Sequence, residues 1–281
     1  MRKIIFIFAA ILIANVNAQA QGVKFQKGSW QEILDLAKEQ DKLIFMDAYT
    51  TWCGPCKKMA KEIFPQKTVG NFYNKNFINV KMDMEKGEGT MLSDQYGVTV
   101  YPTLLFIASD GTLVHRVAGY HNTEQFLDLG TKAIDPSQNL SAMKARFDSG
   151  DRQPDFLLNY AQAAMDAYDG SHRPIADAYI ASQKDWNTPG NHHFIMRFCD
   201  SADSSMFPYL TENRKAFIEQ FGEKDVLNKI QNIVYGKIYE NQNISLDEVN
   251  MLFEKAYPER AAQLSSQYRM THYRNLSLIH I

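Results

Sequence analysis

The feature that most constrains this chain is Trp52-Cys53-Gly54-Pro55-Cys56-Lys57. An apolar, strand-like run from Leu43 to Met46 leads in, and a helix-like run from Cys56 to Phe64 leads out. Two cysteines separated by two residues can close a disulfide within one helical turn. So short a loop opens and closes readily, which suits exchange chemistry better than bracing. A C-x-x-C between a strand and a helix therefore reads as a redox motif. An inert disulfide and half a zinc site are the other readings. Zinc needs about four ligands, and the chain has three cysteines, no second cysteine pair and no histidine pair at ligand spacing. No metal is expected, and His192-His193 reads as a loop pair.

The N-terminus places this motif in an export context. Met1-Arg2-Lys3 is basic, Ile4 to Ile13 is an unbroken apolar run of ten residues, and Ala18-Gln19-Ala20 fits an A-x-A cleavage site. The pattern is that of a secretory signal peptide over residues 1–20, rather than a membrane span. Beyond it no stretch reaches the ~20 apolar residues that cross a bilayer. The formal charge of −2 becomes −4 once the two positive charges of Arg2 and Lys3 are removed, which gives no footing for nucleic acid. In an oxidising compartment, three cysteines are too few for a disulfide-stapled scaffold.

At 281 residues the chain suits two domains. Over 21–134 the elements alternate. Ser29 and Glu32 form a capping box ahead of a helix through Gln40. Leu43–Tyr49 reads as a buried strand and Cys53–Phe64 as a helix ended by Pro65. Thr68–Asn74 adds a helical turn or two. Phe77–Met82 is a strand, Glu85–Gln95 a helix, Thr103–Ile107 a strand, Ser109-Asp110-Gly111 a hairpin turn, Leu113–Ala118 the returning strand and Thr123–Ala133 a last helix. Asp135-Pro136 reads as the boundary. Over 137–281 the apolar residues fall at helical spacing, most clearly at 156, 157, 160, 161, 164, 165 and 168. Further helices are expected at Pro174–Trp186, Phe194–Cys199, Val226–Tyr239 and Leu246–Tyr257, without a clean 34-residue repeat. Leu276–Ile281 does not read as a helix end and resembles a translated sequencing-adapter tail, so a truncated helical half is expected. The fold class is α/β followed by an all-α domain.

The order of elements and the motif together resemble the thioredoxin family over about Phe25 to Ala133. The string Asp47-Ala48-Tyr49-Thr50-Thr51-Trp52-Cys53-Gly54-Pro55-Cys56-Lys57 is close to the family's active-site segment. Asp47 lies where the family has a buried acid, and Lys81 where that acid has its partner. Tyr101-Pro102-Thr103 lies where the family has a cis-proline, 46 residues after Cys56, and Gly119 matches a glycine flanking the substrate groove. Lys61 stands where small thioredoxins have a helix proline, and the segment Pro65–Asn76 is longer than theirs. Both features are more similar to exported thioredoxin-like domains, including the C-terminal domain of the membrane electron carrier DsbD.

The resemblance implies a central mixed sheet flanked by helices and a redox disulfide between Cys53 and Cys56. Cys53 is the expected nucleophile and Cys56, less exposed, the resolving thiol. Asp47 is the expected base for Cys56, with Lys81 holding its charged form. Trp52, Gly54, Pro55, Tyr101, Pro102 and Gly119 are expected to meet substrate. For Asp47 a solvent-facing strand end stays open, for Lys81 an ordinary exposed lysine, for Pro102 a trans proline at a strand edge, and for Trp52 a plain surface aromatic. Cys199 reads as a buried core thiol, with a third redox partner as the alternative. The implied activity is protein-disulfide reduction or isomerisation in the periplasm, on exported proteins, without a cofactor and with a membrane electron donor. A disulfide oxidase and a client-binding or chaperone module with a secondary C-x-x-C are the rivals.

Overall fold

The computed structural model describes residues 22–241 and 244–279, with side chains described as far as Met270. The expected leader at 1–20 and the last two residues of the suspected tail lie outside the described residues. Contacts group the described residues into two compact units. One runs to Thr112 and resumes at Gly119–Thr131; the other takes Leu113–Ala118 and the chain from Lys132 onward.

The first unit holds the first four strands of a five-stranded mixed sheet, whose fifth strand is grouped with the second unit. The strands are β1 (Phe25–Gln26), β2 (Leu43–Tyr49), β3 (Phe77–Asp83), β4 (Thr103–Ile107) and β5 (Leu113–Ala118), in the order β1-β3-β2-β4-β5. β3 runs parallel to both β1 and β2, and β4 runs antiparallel to β2. The helices are α1 (Trp30–Gln40), α2 (Gly54–Glu62), α3 (Lys67–Asn76), α4 (Glu88–Gln95) and α5 (Thr123–Ile134). β2 is central, and Ile44 through Ala48 are all buried. A strand covered on both faces reads as a continuous apolar run instead of an alternating one, which is why Leu43-Ile44-Phe45-Met46 is so conspicuous. Asp47 is the exception in that run.

The core gathers around Phe45, which meets Tyr73, Phe106 and Phe126 at ring-centroid distances of 4.9, 5.4 and 5.3 Å. Tyr73 stacks on Phe126 at 4.1 Å, and its hydroxyl donates to the Phe126 carbonyl at 2.6 Å. A buried tyrosine needs such an acceptor. Gly130 makes this approach possible: a Cβ there would lie 2.6 Å from the Phe72 ring and 3.1 Å from that of Tyr73.

Several boundaries differ from the sequence expectation. Ser29 and Glu32 do form the capping box of α1. α2 opens at Gly54 with Cys53 as its N-cap and closes at Glu62; Ile63, Phe64 and Pro65 form a turn after it. The expected extra turn is a full helix, α3, of 10 residues. α4 starts at Glu88 instead of Glu85, because Gly87 adopts φ 53° and serves as its N-cap. β1 has 2 residues, too few to leave a period in the sequence.

The second unit carries α6 (Leu140–Asp148), α7 (Pro154–Asp166), α8 (His172–Ala181), α9 (Pro189–Phe198), α10 (Met206–Glu212), α11 (Arg214–Phe221), α12 (Glu223–Glu240), α13 (Leu246–Ala256) and α14 (Ala261–Ile279). One apolar core joins residues of α7 through α14, with Leu157, Ile195, Phe207, Phe217, Val226 and Phe253 among its members. His192-His193 is not in a loop. Pro189 opens α9 and Thr188 caps it, so both histidines are helical, and His192 is buried against the Phe217 ring at 4.3 Å. Leu276–Ile279, expected to break helical character, continues α14. Within this unit β5 supplies two buried polar residues, His115 and Arg116. The His115 Nδ1 accepts from the Leu140 N–H at 3.2 Å, at the start of α6.

Candidate active site

The dithiol segment is placed by the helix that follows β2. Cys53 has extended backbone angles, φ −64° and ψ 110°, and its Sγ accepts from the Cys56 N–H at 3.1 Å. The first helical hydrogen bond runs from Lys57 N to Cys53 O at 3.2 Å. Pro55 sits in the first turn, where a missing N–H costs nothing. Cys53 and Cys56 form a disulfide, with their Cα atoms 5.3 Å apart. Sequence reasoning expected Cys56 to be the more sheltered, but exposure does not separate them: Cys53 is 2% and Cys56 3% exposed. Position separates them. Cys53 is the N-cap and Cys56 lies inside the first turn, so the free N–H groups and the positive end of the helix face Cys53 Sγ. The first turn of α2 carries no acidic residue, and Lys57 and Lys58 follow directly.

Asp47, also on β2, is fully buried, so the solvent-facing alternative does not hold. In the parallel register its partner on β3 is Lys81, whose ammonium stands 3.2 Å from Asp47 Oδ2. This ion pair is the carboxylate's polar contact among the described residues, since neither oxygen accepts a well-formed hydrogen bond. Burial pushes the Asp47 carboxyl up to about 6, and the Lys81 charge opposes that rise. A carboxyl titrating near neutrality in a dry setting is suited to proton transfer.

The rim is aromatic. Trp52 is 64% exposed and packs edge-on to Tyr101 at 5.8 Å. The Tyr101–Pro102 peptide bond is cis. The Gly119 N–H donates to the Pro102 carbonyl at 2.8 Å, which brings the chain back beside the proline. Gly119 does this at φ 93°, a conformation that side chains with a Cβ resist. Gly54 faces open space. The geometry thus brings Asp47 and Lys81 together, Cys53 and Cys56 together, and Trp52 beside Tyr101.

Sequence reasoning missed three groups of neighbours. Glu85 accepts from the Trp52 indole N–H at 2.9 and 3.0 Å through its two oxygens. Lys58 lies over the Tyr120 ring at 4.6 Å. The Lys81 ammonium is surrounded by the rings of Tyr49, Phe64 and Phe25 at 4.8, 5.4 and 5.6 Å. Only the Tyr49 contact had a local signal, because residues two apart on a strand share a face and Tyr49 follows Asp47 by two.

The comparisons with known proteins agree with this picture. A family model described as a thioredoxin-like domain matches residues 30–134. Thioredoxin from Listeria monocytogenes is 32% identical over 107 residues, covering 37% of this chain and 98% of that protein. Thioredoxin-1 from Drosophila melanogaster is 37% identical over 73 residues, 26% of this chain, and the match spans 64% of that protein. The thiol:disulfide interchange protein DsbD of Tatumella citrea is 29% identical over 115 residues, 39% of this chain but 20% of its own length. Among solved structures, a candidate disulphide-isomerase from Bacteroides thetaiotaomicron shares 46% identity, covering 42% of this chain and 98% of that one, with a TM-score of 0.39. The chain belongs to the thioredoxin family of disulfide oxidoreductases.

Proposed function

We propose that this protein reduces or isomerises disulfides in exported proteins. The observation that carries the reading is the Cys53 sulfur at the N-cap of α2, where the Cys56 N–H already donates to it at 3.1 Å. The same N–H and the helix end favour a thiolate at Cys53 once the pair is reduced. The Cys53 thiolate attacks a substrate disulfide, forming a Cys53–substrate bond and expelling one substrate sulfur as thiolate, which takes a proton from water. The Asp47 carboxylate receives the Cys56 proton, through water where it does not reach directly. The Cys56 thiolate then attacks Cys53 Sγ, closes the protein disulfide and releases the second substrate sulfur. Two electrons pass from the dithiol to the substrate, and a membrane electron donor returns the protein to its dithiol form. Trp52, Gly54, Pro55, Tyr101, Pro102 and Gly119 line the path of the substrate segment. The leader-like N-terminus and the likeness to DsbD support a periplasmic setting.

The test is reduction of insulin by the dithiol form, with a redox titration alongside. Reduction with a midpoint near the value of about −270 mV that thioredoxin has supports the reading. A midpoint near about −120 mV, the value of DsbA, reverses the direction of electron flow and makes the protein an oxidase. Trapping mixed disulfides with Cys56→Ser identifies the substrate.

A further inference from the structure

Asp47 and its ion pair rest on one flexible side chain. A lysine ammonium is a strongly hydrated point charge on a four-carbon stem, and the Lys81 side chain is 28% exposed, against 1% for that of Asp47. Water is therefore within reach of the cation and competes with the carboxylate for it. Three rings bear on that competition. Tyr49 of β2 lies 4.8 Å from the ammonium, Phe64 of the turn after α2 lies 5.4 Å away, and Phe25 of β1 lies 5.6 Å away. The electron-rich face of an aromatic ring attracts a cation within about 6 Å. The rings reach Lys81 from three separate segments, and Phe25 and Phe64 also pack edge-on to each other at 5.3 Å.

We infer that Tyr49, Phe25 and Phe64 are positioning residues: their rings form a cage that holds the Lys81 ammonium against Asp47 and thereby sets the pH at which Asp47 accepts a proton. The inference rests on the proposed role of Asp47 as base, but its test does not. Coulombic attraction falls as charges separate, so a cation released toward water leaves burial less opposed and Asp47 protonated to higher pH. The other groups around the pair are accounted for. Opposite Asp47 on β4 stands Leu104. Opposite Tyr49 on β3 stands Asp83, engaged by Lys86 at 3.2 Å. The two sulfurs of the active-site segment do not titrate while joined as a disulfide.

The experiment follows the Asp47 carboxyl carbon by NMR against pH in the full-length disulfide form. Tyr49→Leu is expected to move the midpoint upward by about half a pH unit to one, and Tyr49→Phe to leave it in place. Lys81→Met is expected to move it further, and Tyr49→Leu is expected to add nothing in the Lys81→Met background. An unmoved midpoint in Tyr49→Leu overturns the inference, and so does an equal shift with and without Lys81. Phe25→Leu at the sheet edge, expected to give the same upward direction, decides the matter should Tyr49→Leu fail to fold. Because the titration is read in the resting disulfide form, it stands whether or not the protein reduces insulin. Loss of insulin reduction with an intact cage effect would sink the proposed function alone.

Discussion

Each unit of this molecule contains cysteine at a helix terminus, and the two termini are opposite ones. Cys53 is the N-cap of α2, with a backbone N–H pointing at its sulfur. Cys199 is the C-cap of α9 and fully buried. Burial pushes the Cys199 thiol up to about 12, and Asp200 and Asp177 add to the rise against the opposing charge of Lys229. The N-terminal end of a helix favours an anion and the C-terminal end disfavours one. The same side chain is thus prepared for exchange in one unit and silenced in the other. Composition alone, three cysteines in 281 residues, does not tell these apart; the helix end and the surrounding charges do.

The largest contrast is in reactivity. At pH 7, a thiol that titrates at about 12 is thiolate in roughly one molecule in 10⁵. Alkylation of the reduced, folded protein is expected to label Cys53 fast and Cys199 only after denaturant is added. Mass spectrometry of the labelled peptides reads this. In the matching activity assay, Cys53→Ser is expected to lose at least about a thousandfold in insulin reduction, while Cys199→Ala keeps the wild-type rate. Rapid native labelling of Cys199 would break the comparison.

Next in size is the buried carboxylate. Asp47 titrates at about 6 in the folded protein against an ordinary value of 3.8. Between those values the folded state holds a proton that the unfolded state has released, so this group's contribution to stability falls as pH rises from about 4 to about 6 and stays low above that. At about 1.4 kcal/mol per pH unit the full effect is on the order of 3 kcal/mol. Asp47→Asn is therefore expected to stabilise the protein at pH 8 by up to about that amount, and hardly at pH 4, in denaturant titrations. It is also expected to slow the Cys56 step at pH 7 by about a hundredfold, the scale of a lost general base. Destabilisation at pH 8 would show that the Lys81 ion pair outweighs burial.

How much of this was legible in the sequence follows from the kind of signal each part leaves. The strand β2, the capping box of α1 and the pair Cys53-x-x-Cys56 are local, and a local pattern survives in sequence. The parallel register of β2 and β3 is what places Asp47 and Lys81 opposite each other, but in the sequence they were reachable only through the family resemblance. The cage around Lys81 was not, since Phe25, Tyr49 and Phe64 converge from three elements and one of them is a strand of 2 residues. His192 was misplaced for a related reason. His192-His193 after Pro189-Gly190 looks like a loop, but Pro189 is an ideal first helical residue once Thr188 caps it, and the ring of Phe217 takes up the imidazole. In the second unit the helix bounds drifted most: the expected Pro174–Trp186 is α8 at His172–Ala181, and the expected Phe194–Cys199 begins at Pro189, where the Thr188 cap and not the apolar spacing sets the start.

The pH response gives a second way to sharpen the contrast between the units. His115 is buried, and burial first, then the charge of Lys132, lowers its imidazole to about 4 from an ordinary 6.5. Here the unfolded state binds the proton first. Stability from a neutral buried histidine is present above about 6.5 and is lost as pH falls toward about 4. The sign is the reverse of that for Asp47. The span from 6.5 to about 4 corresponds to on the order of 3 kcal/mol. His115→Gln is expected to remove most of this acid sensitivity, seen as a smaller loss of hydrogen-exchange protection in α12 between pH 7 and pH 4.5. An unchanged loss would mean that other groups set the acid response of the second unit.

The smallest effect distinguishes a packing thiol from a redox one. Cys199→Ser keeps nearly the same shape and exchanges a weakly polar sulfur for a hydroxyl in a fully buried position. Burying a hydroxyl without a good partner costs about 1–3 kcal/mol, and Ser204 nearby offsets some of that through its side-chain hydrogen bond. A loss of about 1 kcal/mol in the second unit is expected, with no change in insulin reduction or in the Asp47 titration. Cys199→Ala removes the sulfur without adding polarity and is expected to cost about the same through the small cavity left behind. A redox partner would behave differently: both variants would alter the midpoint of the Cys53–Cys56 couple, and they would do so whatever their stability.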